Sequence, residues 1–288
     1  MRTLEPHAIA LAVSEKDKAG MNIRQALLGT LPFENRKESF SGHAVHEAAI
    51  NGKTVRLYTL QEDTIHAEHL NRRLADAGFS PDLVIFLTKH QGGEGIRSLS
   101  CHAPGNWHAA EMGGSPKRLC VAPATMLKAA ALALKAEAER LGWLFSIEVT
   151  HHGPLMDAPV MFMEIGSTAA EWPLPEAGKA VASAVVAMLF VPYTERRAVL
   201  LLGGGHYSHY AEKIQLQSEY CLGHACPKFM IPHLDAGMVR QALERTLSSG
   251  KPIVLLDWKG LGAEKVRIRE MLDAEKIPWE RMDRFFAE

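Results

Sequence analysis

The sequence predicts an α/β fold, a three-layer α/β/α sandwich around a mixed, largely parallel sheet. Two observations carry that expectation. Short apolar runs alternate with Ala-, Val- and Leu-rich segments along most of the 288 residues, the order that covers both faces of a sheet with helices. One run, Asp82–Thr88 (DLVIFLT), is continuously apolar rather than alternating, as expected of a strand buried on both faces. No linker-like composition, repeat or low-complexity segment divides the chain. Residues 1–288 are therefore expected to form one α/β domain, with a lid or small subdomain around 91–118.

The elements follow in order. His7–Val13 reads as a first buried strand, and Asn22–Leu28 as a short helix stopped by Gly29. Thr54–Leu60 alternates in strand fashion after an Asn51-Gly52 turn. His66–Ala77 reads as a helix ended by Gly78, and Asp82–Thr88 as the strand already described. Lys89-His90 and a Gly-rich loop, Gln91–Gly95, come next. From Arg97 to Arg118 Gly, Pro and His dominate, and such irregular stretches in compact domains are usually functional. Pro123–Leu141 is the clearest helix, with Pro at its start and Gly142 beyond its end. Phe145–Thr150 and Pro159–Ile165 read as strands, Glu176–Phe190 as a helix, and Arg197–Leu202 as a strand. A helix over Leu234–Leu247, a strand over Pro252–Leu256 and a last helix over Gly262–Ala274 complete the pattern.

Composition narrows the function classes. Lys and Arg number 32 against 33 Asp and Glu, a formal net charge of -1, which argues against a general polyanion binder, DNA included. No segment reads as a signal peptide, and no apolar run approaches the roughly 18 residues of a membrane span. A cytoplasmic protein is expected, with Cys101, Cys120, Cys221 and Cys226 as reduced thiols. No heptad-like apolar stripe is present, so a monomer is expected.

Several of the 14 histidines follow predicted strand ends. In open α/β sheets ligands bind beyond the carboxyl ends of the strands. The polar residues there are Lys89 and His90, His151 and His152, Gly166 and Ser167, His206 and Tyr207, and Asp257 and Lys259. Adjacent residues of an extended segment point to opposite sides, so His151 and His152 share a face only if the strand has ended, as Gly153-Pro154 suggests. His90, His102, His151, His152, His206 and His224, with Glu164, hold enough N and O ligands for one or two Zn²⁺ ions. A metal-free scheme uses one imidazole as general base, oriented by Asn106 or an Asp. With neither HExxH nor HxH in the chain, spacing does not choose between them. Gly203-Gly204-Gly205 lacks the lysine of a phosphate loop and the spacing of a dinucleotide fold, so it marks a tight turn or close substrate approach. Cys221-x-x-His224-x-Cys226 looks like half a zinc site without its other half, and buried thiols beside a functional His224 are expected instead.

The combined phrases resemble the archaeal- and plant-type D-aminoacyl-tRNA deacylase family. They are Leu99-Ser100-Cys101-His102-Ala103-Pro104-Gly105-Asn106-Trp107, Val149-Thr150-His151-His152-Gly153-Pro154, Glu164-Ile165-Gly166-Ser167 with Glu171-Trp172, Gly203-Gly204-Gly205-His206-Tyr207, Leu222-Gly223-His224-Ala225-Cys226-Pro227-Lys228, and Asp257-Trp258-Lys259-Gly260. Asp17 and Asn22-Ile23 fit too, and together the phrases span essentially the whole chain in the family's order. The resemblance implies a single hydrolytic domain, related in fold to phosphorylases and peptidyl-tRNA hydrolases. It also implies a zinc-dependent enzyme that frees a D-amino acid from the 3′ end of tRNA. The Gln91–Gly95 loop departs from the family's Ser-rich loop, and Ser208-His209-Tyr210 departs after the glycine-histidine motif.

Under that resemblance His151, His152 and His206 are expected to hold zinc, with His90, His102 or His224 as further ligands or proton carriers. A zinc-activated water then attacks the ester carbonyl, with His102 and Glu164 as further catalytic candidates. Lys89, His90, Asn106, Gly204, Gly205, Tyr207, Lys228 and Lys259 are the expected substrate contacts, with Arg118 a further candidate for tRNA phosphates. The alternative from the same fold class is a metal-free enzyme, either peptidyl-tRNA hydrolase-like or nucleoside phosphorylase-like. The phosphorylase form requires a phosphate-binding Arg or Ser cluster.

Overall fold

The computed structural model describes residues 5–92 and 95–286; Gly93 and Glu94, within the predicted Gln91–Gly95 loop, lie outside them. Strand β1 (Ala8–Ser14) leads into helix α1 (Lys18–Thr30), whose first turn is capped by the Asp17 carboxylate. Strands β2 (Glu34–Phe40), β3 (His43–Ile50) and β4 (Lys53–Leu60) follow, then α2 (Leu70–Asp76) and β5 (Leu83–Lys89). Next come β6 (Ser98–His102), the short pair β7 (Gly105–Asn106) and β8 (Arg118–Leu119), and α3 (Ala124–Leu141). Strands β9 (Leu144–Ile147) and β10 (Val160–Gly166) precede α4 (Pro175–Phe190), β11 (Ala198–Leu202), α5 (His209–Gln217) and β12 (Cys221–Cys226). The chain continues through α6 (Ala236–Glu244), β13 (Ile253–Leu256), α7 (Lys265–Ala274), β14 (Trp279–Arg281) and α8 (Met282–Phe285).

The predicted α/β architecture is present, built on two sheets. An eight-stranded sheet runs β2-β3-β4-β1-β5-β10-β6-β9, and a four-stranded sheet runs β12-β11-β13-β14. In the large sheet β4, β1, β5 and β10 are mutually parallel, whereas β6 returns antiparallel along β10 and carries β9 parallel to itself. The small sheet is wholly parallel. Residues of β1 alternate between two cores. Ile9, Leu11 and Val13 join Ile23 of α1 and Val181 of α4, while Ala10 and Ala12 join Leu70 and Leu74 of α2. Helices thus cover both faces, and the strand is apolar at every position because each face is dry.

Helix α3 ties the sheets together. Its Leu127, Ala130, Ala131, Leu134 and Ala138 recur at helical spacing and are buried. They share one core with Leu99 and Met163 of the large sheet and with Val199 and Ala225 of the small one. Gly142 ends the helix at φ 67°, a left-handed turn that glycine adopts without a Cβ penalty. Among the described residues no helix is long and apolar enough to cross a membrane.

Several elements differ from expectation for identifiable reasons. Strands β2 and β3 were not anticipated, because β2 is largely exposed at the sheet edge and its sequence ENRKESF is mostly charged. The predicted helix His66–Ala77 is a 3-10 turn (Thr64–His66) followed by α2, separated by His69 at φ 51°. Within the 91–118 excursion, Ser98–His102 is β6, an internal strand of the large sheet. The Ser208–Tyr210 departure opens α5, which Ser208 caps through its hydroxyl.

His224 requires a correction as a metal ligand. It lies on fully buried β12, and both ring nitrogens are engaged in structure. The Thr150 hydroxyl, 3.0 Å from Nδ1, donates to it, while Nε2 donates to the carbonyls of Cys120 (3.1 Å) and Arg245 (3.3 Å). The Gly223-His224 phrase therefore reports a core hydrogen-bond node. Burial lowers the His224 pKa to about 4. An unfolded histidine takes a proton below about pH 6.5, so between pH 6.5 and 4 the unfolded chain binds more protons and stability falls with falling pH. Over that window His224 is expected to account for about 3 kcal/mol of acid sensitivity. Urea unfolding at several pH values is expected to show a shallower loss in His224→Asn than in the parent; parallel profiles would contradict this.

Candidate active site

The sheet register brings three strands' chemistry onto one face. His102 pairs with Phe162, Ser100 with Glu164 and Ser98 with Gly166 between β6 and β10. Across β6 and β9, Ser98 pairs with Leu144 and Ser100 with Ser146. Alternation places Glu148, just past β9, on the same face as Ser146 and level with His102; its backbone N–H donates to Cys101 O at 3.2 Å. The site is therefore not a single rim of parallel strand ends. His90 leaves the carboxyl end of β5, whereas His102 and Glu148 leave strands running the other way.

Glu148 is the centre. Its side chain is 0% exposed, and its carboxylate faces His206 Nε2 at 2.9 Å, His90 Nδ1 at 3.1 Å and His151 Nε2 at 3.6 Å. Glu164 lies beside it, 3.4 Å from His90 Nδ1 and 3.8 Å from His102 Nε2, and accepts from the Ser100 hydroxyl at 3.4 Å. All ion pairs of these two acids among the described residues are to histidines. Burial raises the Glu148 pKa, but the hydrogen bonds of His206 and His90 outweigh it and hold the carboxyl well below its usual range. For Glu164, burial and the neighbouring Glu148 raise the pKa, yet His102 and His90 bring it below the usual value. His90 shows the converse: burial opposes its charge, but Glu148 and Glu164 raise its pKa to about 11. Its Nε2 meets the Tyr207 hydroxyl at 2.7 Å.

His102, His151 and His152 form the second half. Each directs Nδ1 at a backbone carbonyl: Ala103 at 3.3 Å, Val149 at 2.8 Å and Gly153 at 2.6 Å. A ring that donates from Nδ1 presents the Nε2 lone pair, the usual arrangement behind a metal-ligating histidine. In a continuing strand the adjacent rings of His151 and His152 would diverge. They converge instead, with centroids 4.3 Å apart, because His152 turns the backbone through φ 45°. Burial, then the His102 charge, lowers His151 well below its usual pKa and His152 to about 4. Burial also opposes charge on His102, but Glu164 outweighs it and raises the pKa.

The donor set fits a cation. Three groups, His102-His151-His152, Glu148-His151-His206 and His90-Glu148-Glu164, each bring ligand atoms within 4.8 Å of one another. They share His151 and Glu148, so they form one continuous cluster. His102 Nε2 is buried with no hydrogen-bond partner, an orphan that ordinarily demands an explanation. His151 and His152 already favour the neutral form that ligation requires, and a cation would displace the proton His102 retains.

The surrounding residues hold this cluster in place. Asp17 caps α1 through Ala19 N (2.8 Å) and Gly20 N (3.1 Å) and also accepts from Lys89 N (2.9 Å) and the Thr88 hydroxyl. Trp172 Nε1 donates to His90 O at 3.1 Å, and Asn22 Nδ2 holds Trp172 O at 2.9 Å. The glycine turn places His206: Gly203 and Gly204 have φ 105° and 89°, and a Cβ on Gly204 would come within 2.9 Å of Ser208 Oγ. His206 O then accepts from Val149 N at 3.2 Å, joining the two sheets.

His90, His102, His151, His152, Glu164 and His206 thus come together, with Tyr207 at the edge. Asn106 does not join them; its amide donates to Gly113 O at 2.9 Å and ties down its own loop. Lys89 packs over the Trp172 ring at 5.3 Å. Lys228, Lys259 and Arg118 are exposed, the first two on loops after β12 and β13. Gly205 belongs to the turn that carries His206. Sequence reasoning assigned no role to Glu148, although a lone acid within the apolar run Phe145–Val149 was a legible signal.

Comparison with known proteins agrees with this arrangement. A family model described as D-aminoacyl-tRNA deacylase matches residues 77–280. A D-aminoacyl-tRNA deacylase of Thermococcus kodakarensis is 32% identical over 251 residues, covering 86% of this chain and 90% of its own. Its counterpart from Methanosarcina mazei is 32% identical over 271 residues, covering 92% and 89%. A crystal structure described as a conserved protein of unknown function superposes with a TM-score of 0.86 at 26% identity, covering 96% of each chain. The chain belongs to the D-aminoacyl-tRNA deacylase family.

Proposed function

We propose that this protein hydrolyses the ester joining a D-amino acid to the 3′ end of tRNA, releasing the free D-amino acid and tRNA, with zinc held at the histidine cluster. The observation that carries this reading is the pair of buried carboxylates surrounded by His90, His102, His151, His152 and His206, with one imidazole nitrogen left without a partner. His102, His151 and His152 would hold the ion through Nε2, with Glu148 and His206 next to them; an all-imidazole set suits Zn²⁺. When bound, zinc supplies Lewis-acid charge beside the ester carbonyl.

The protein's own groups divide the remaining work. Glu148, kept ionised by its imidazole neighbours, orients the attacking water by accepting its hydrogen bond. His90, kept charged by both carboxylates, supplies positive charge and a proton on the side facing Tyr207. The Tyr207 hydroxyl, 2.7 Å from His90 Nε2 on a half-exposed side chain, passes that proton toward the departing ribose oxygen. Water adds to the carbonyl carbon as Glu148 takes one of its protons, the C–O bond to ribose breaks, and the ribose oxygen leaves with the proton relayed from His90. Glu148 then returns its proton to His90, 3.1 Å away, and the released acid gives up its remaining proton to solvent.

Purified protein is expected to release D-tyrosine from D-tyrosyl-tRNA while leaving L-tyrosyl-tRNA intact. Equal rates on both esters, or none on either, would contradict the proposal. Glu148→Gln keeps the shape and removes the charge, so kcat is expected to fall on the order of 100-fold or more with KM nearly unchanged. A variant of unchanged melting temperature and undiminished kcat would remove Glu148 from the mechanism. His102→Ala is expected to lower the zinc content of the purified protein as well as its rate; full zinc occupancy in that variant would exclude His102 as a ligand.

A further inference from the structure

Beside the cluster, a cleft of about 650 Å³ runs along the same sheet face, lined by Ile96, Ser98, Leu144, Ser146, Ser167 and Tyr207. Register makes it a continuation of the site. The His102–Glu148 level gives way to Ser100–Ser146–Glu164 and then to Ser98–Leu144–Gly166. Each level is two residues, or about 7 Å, further along the strands. The floor thus passes from ligands to hydroxyls to small and apolar residues. Tyr207 lines the cleft and also meets His90 at 2.7 Å. At the junction Gly92 leaves the opening clear, since a Cβ there would lie 3.3 Å from Ser167 and 3.4 Å from His90.

Two features suit this cleft to a ligand. Ser167 is 5% exposed, and its hydroxyl has no hydrogen-bond partner. Leu144 and Ile96, at 59% and 41% exposure, offer uncovered apolar walls. Charge distinguishes the two halves of the substrate. The cleft's outer end carries one cation and one anion, Lys135 and Glu212. Linked to His90 through Asn22 and the Trp172 indole, the groove between α1 and α4 is lined by Lys18, Arg24 and Lys179 with no carboxylate. It adjoins Trp172, over which Lys89 packs. The phosphate-bearing part of the substrate is drawn to the cationic groove, leaving the neutral, partly apolar cleft for the acyl part.

The geometry points to the cleft at Leu144 and Ile96 as the subsite for the side chain of the esterified amino acid, with the Ser167 hydroxyl as a polar contact within it. This rests on the deacylase reading. The test uses one tRNA acylated with either D-tyrosine or D-alanine and compares kcat/KM for parent, Leu144→Trp and Leu144→Ala. Filling the cleft with Leu144→Trp is expected to lower the D-tyrosyl/D-alanyl ratio about tenfold or more, and removing an apolar wall with Leu144→Ala to lower it about threefold. Leu144 is exposed, so Leu144→Ala keeps the test open even if the larger variant fails to fold. Equal losses on both esters would overturn the inference, because they would place the shared terminal adenosine in the cleft. An unchanged ratio in both variants would also overturn it. A parent protein that hydrolyses neither ester would instead fail the deacylase reading itself, and the inference with it.

Discussion

The structure depends on keeping the Glu148 carboxylate charged although its side chain is buried. An isolated carboxylate in such a place would take up a proton. Here His206 and His90 pair with it, Glu164 stands alongside, and His102 and His151 complete the surroundings. These groups come from β5, β6, β9, β10 and the glycine turn after β11, so the charge balance fixes how the two sheets meet. Removing any one partner leaves a buried charge under-compensated, and such losses commonly cost several kcal/mol. A divalent cation among the same donors would satisfy both acids and the orphaned His102 nitrogen together.

Much of the fold was legible because burial writes itself into sequence. Leu83–Leu87 is apolar throughout since both its faces are covered, and α3 carries Pro123 before it and Gly142 after it. The illegible parts are those whose conformation is decided elsewhere. Strand β2 is charged and pairs only on one side, so its extension comes from β3 rather than from its own residues. The two-sheet division was hidden as well. Nothing in the apolar runs distinguishes β11 and β13 from the large-sheet strands, and only long-range pairing separates them.

The site was half legible. Strand-end histidines identified His90, His151, His152 and His206, because polar residues after apolar runs have few other places to be. The geometry that unites them was not. The antiparallel return of β6 and the left-handed turn at His152 are backbone facts with no local signature, as histidine is an ordinary residue in either setting. His224 misled for the opposite reason. Its phrase carries a family pattern, yet the chemistry behind it is three core hydrogen bonds that hold β12 against Thr150, Cys120 and Arg245. A buried histidine and a ligand histidine read alike in sequence, since both are set apart only by what faces the ring nitrogens.

The central claim is that the carboxylate-imidazole cluster is one cation site with His102, His151 and His152 at its heart. The most direct measurement is anomalous diffraction at the zinc edge from crystals of the zinc-loaded protein. The account predicts a peak within bonding distance of the Nε2 atoms of these three histidines, about 2.0–2.1 Å for a zinc–nitrogen bond, and close to Glu148. A peak confined to surface histidines, or none at full zinc loading, would contradict it.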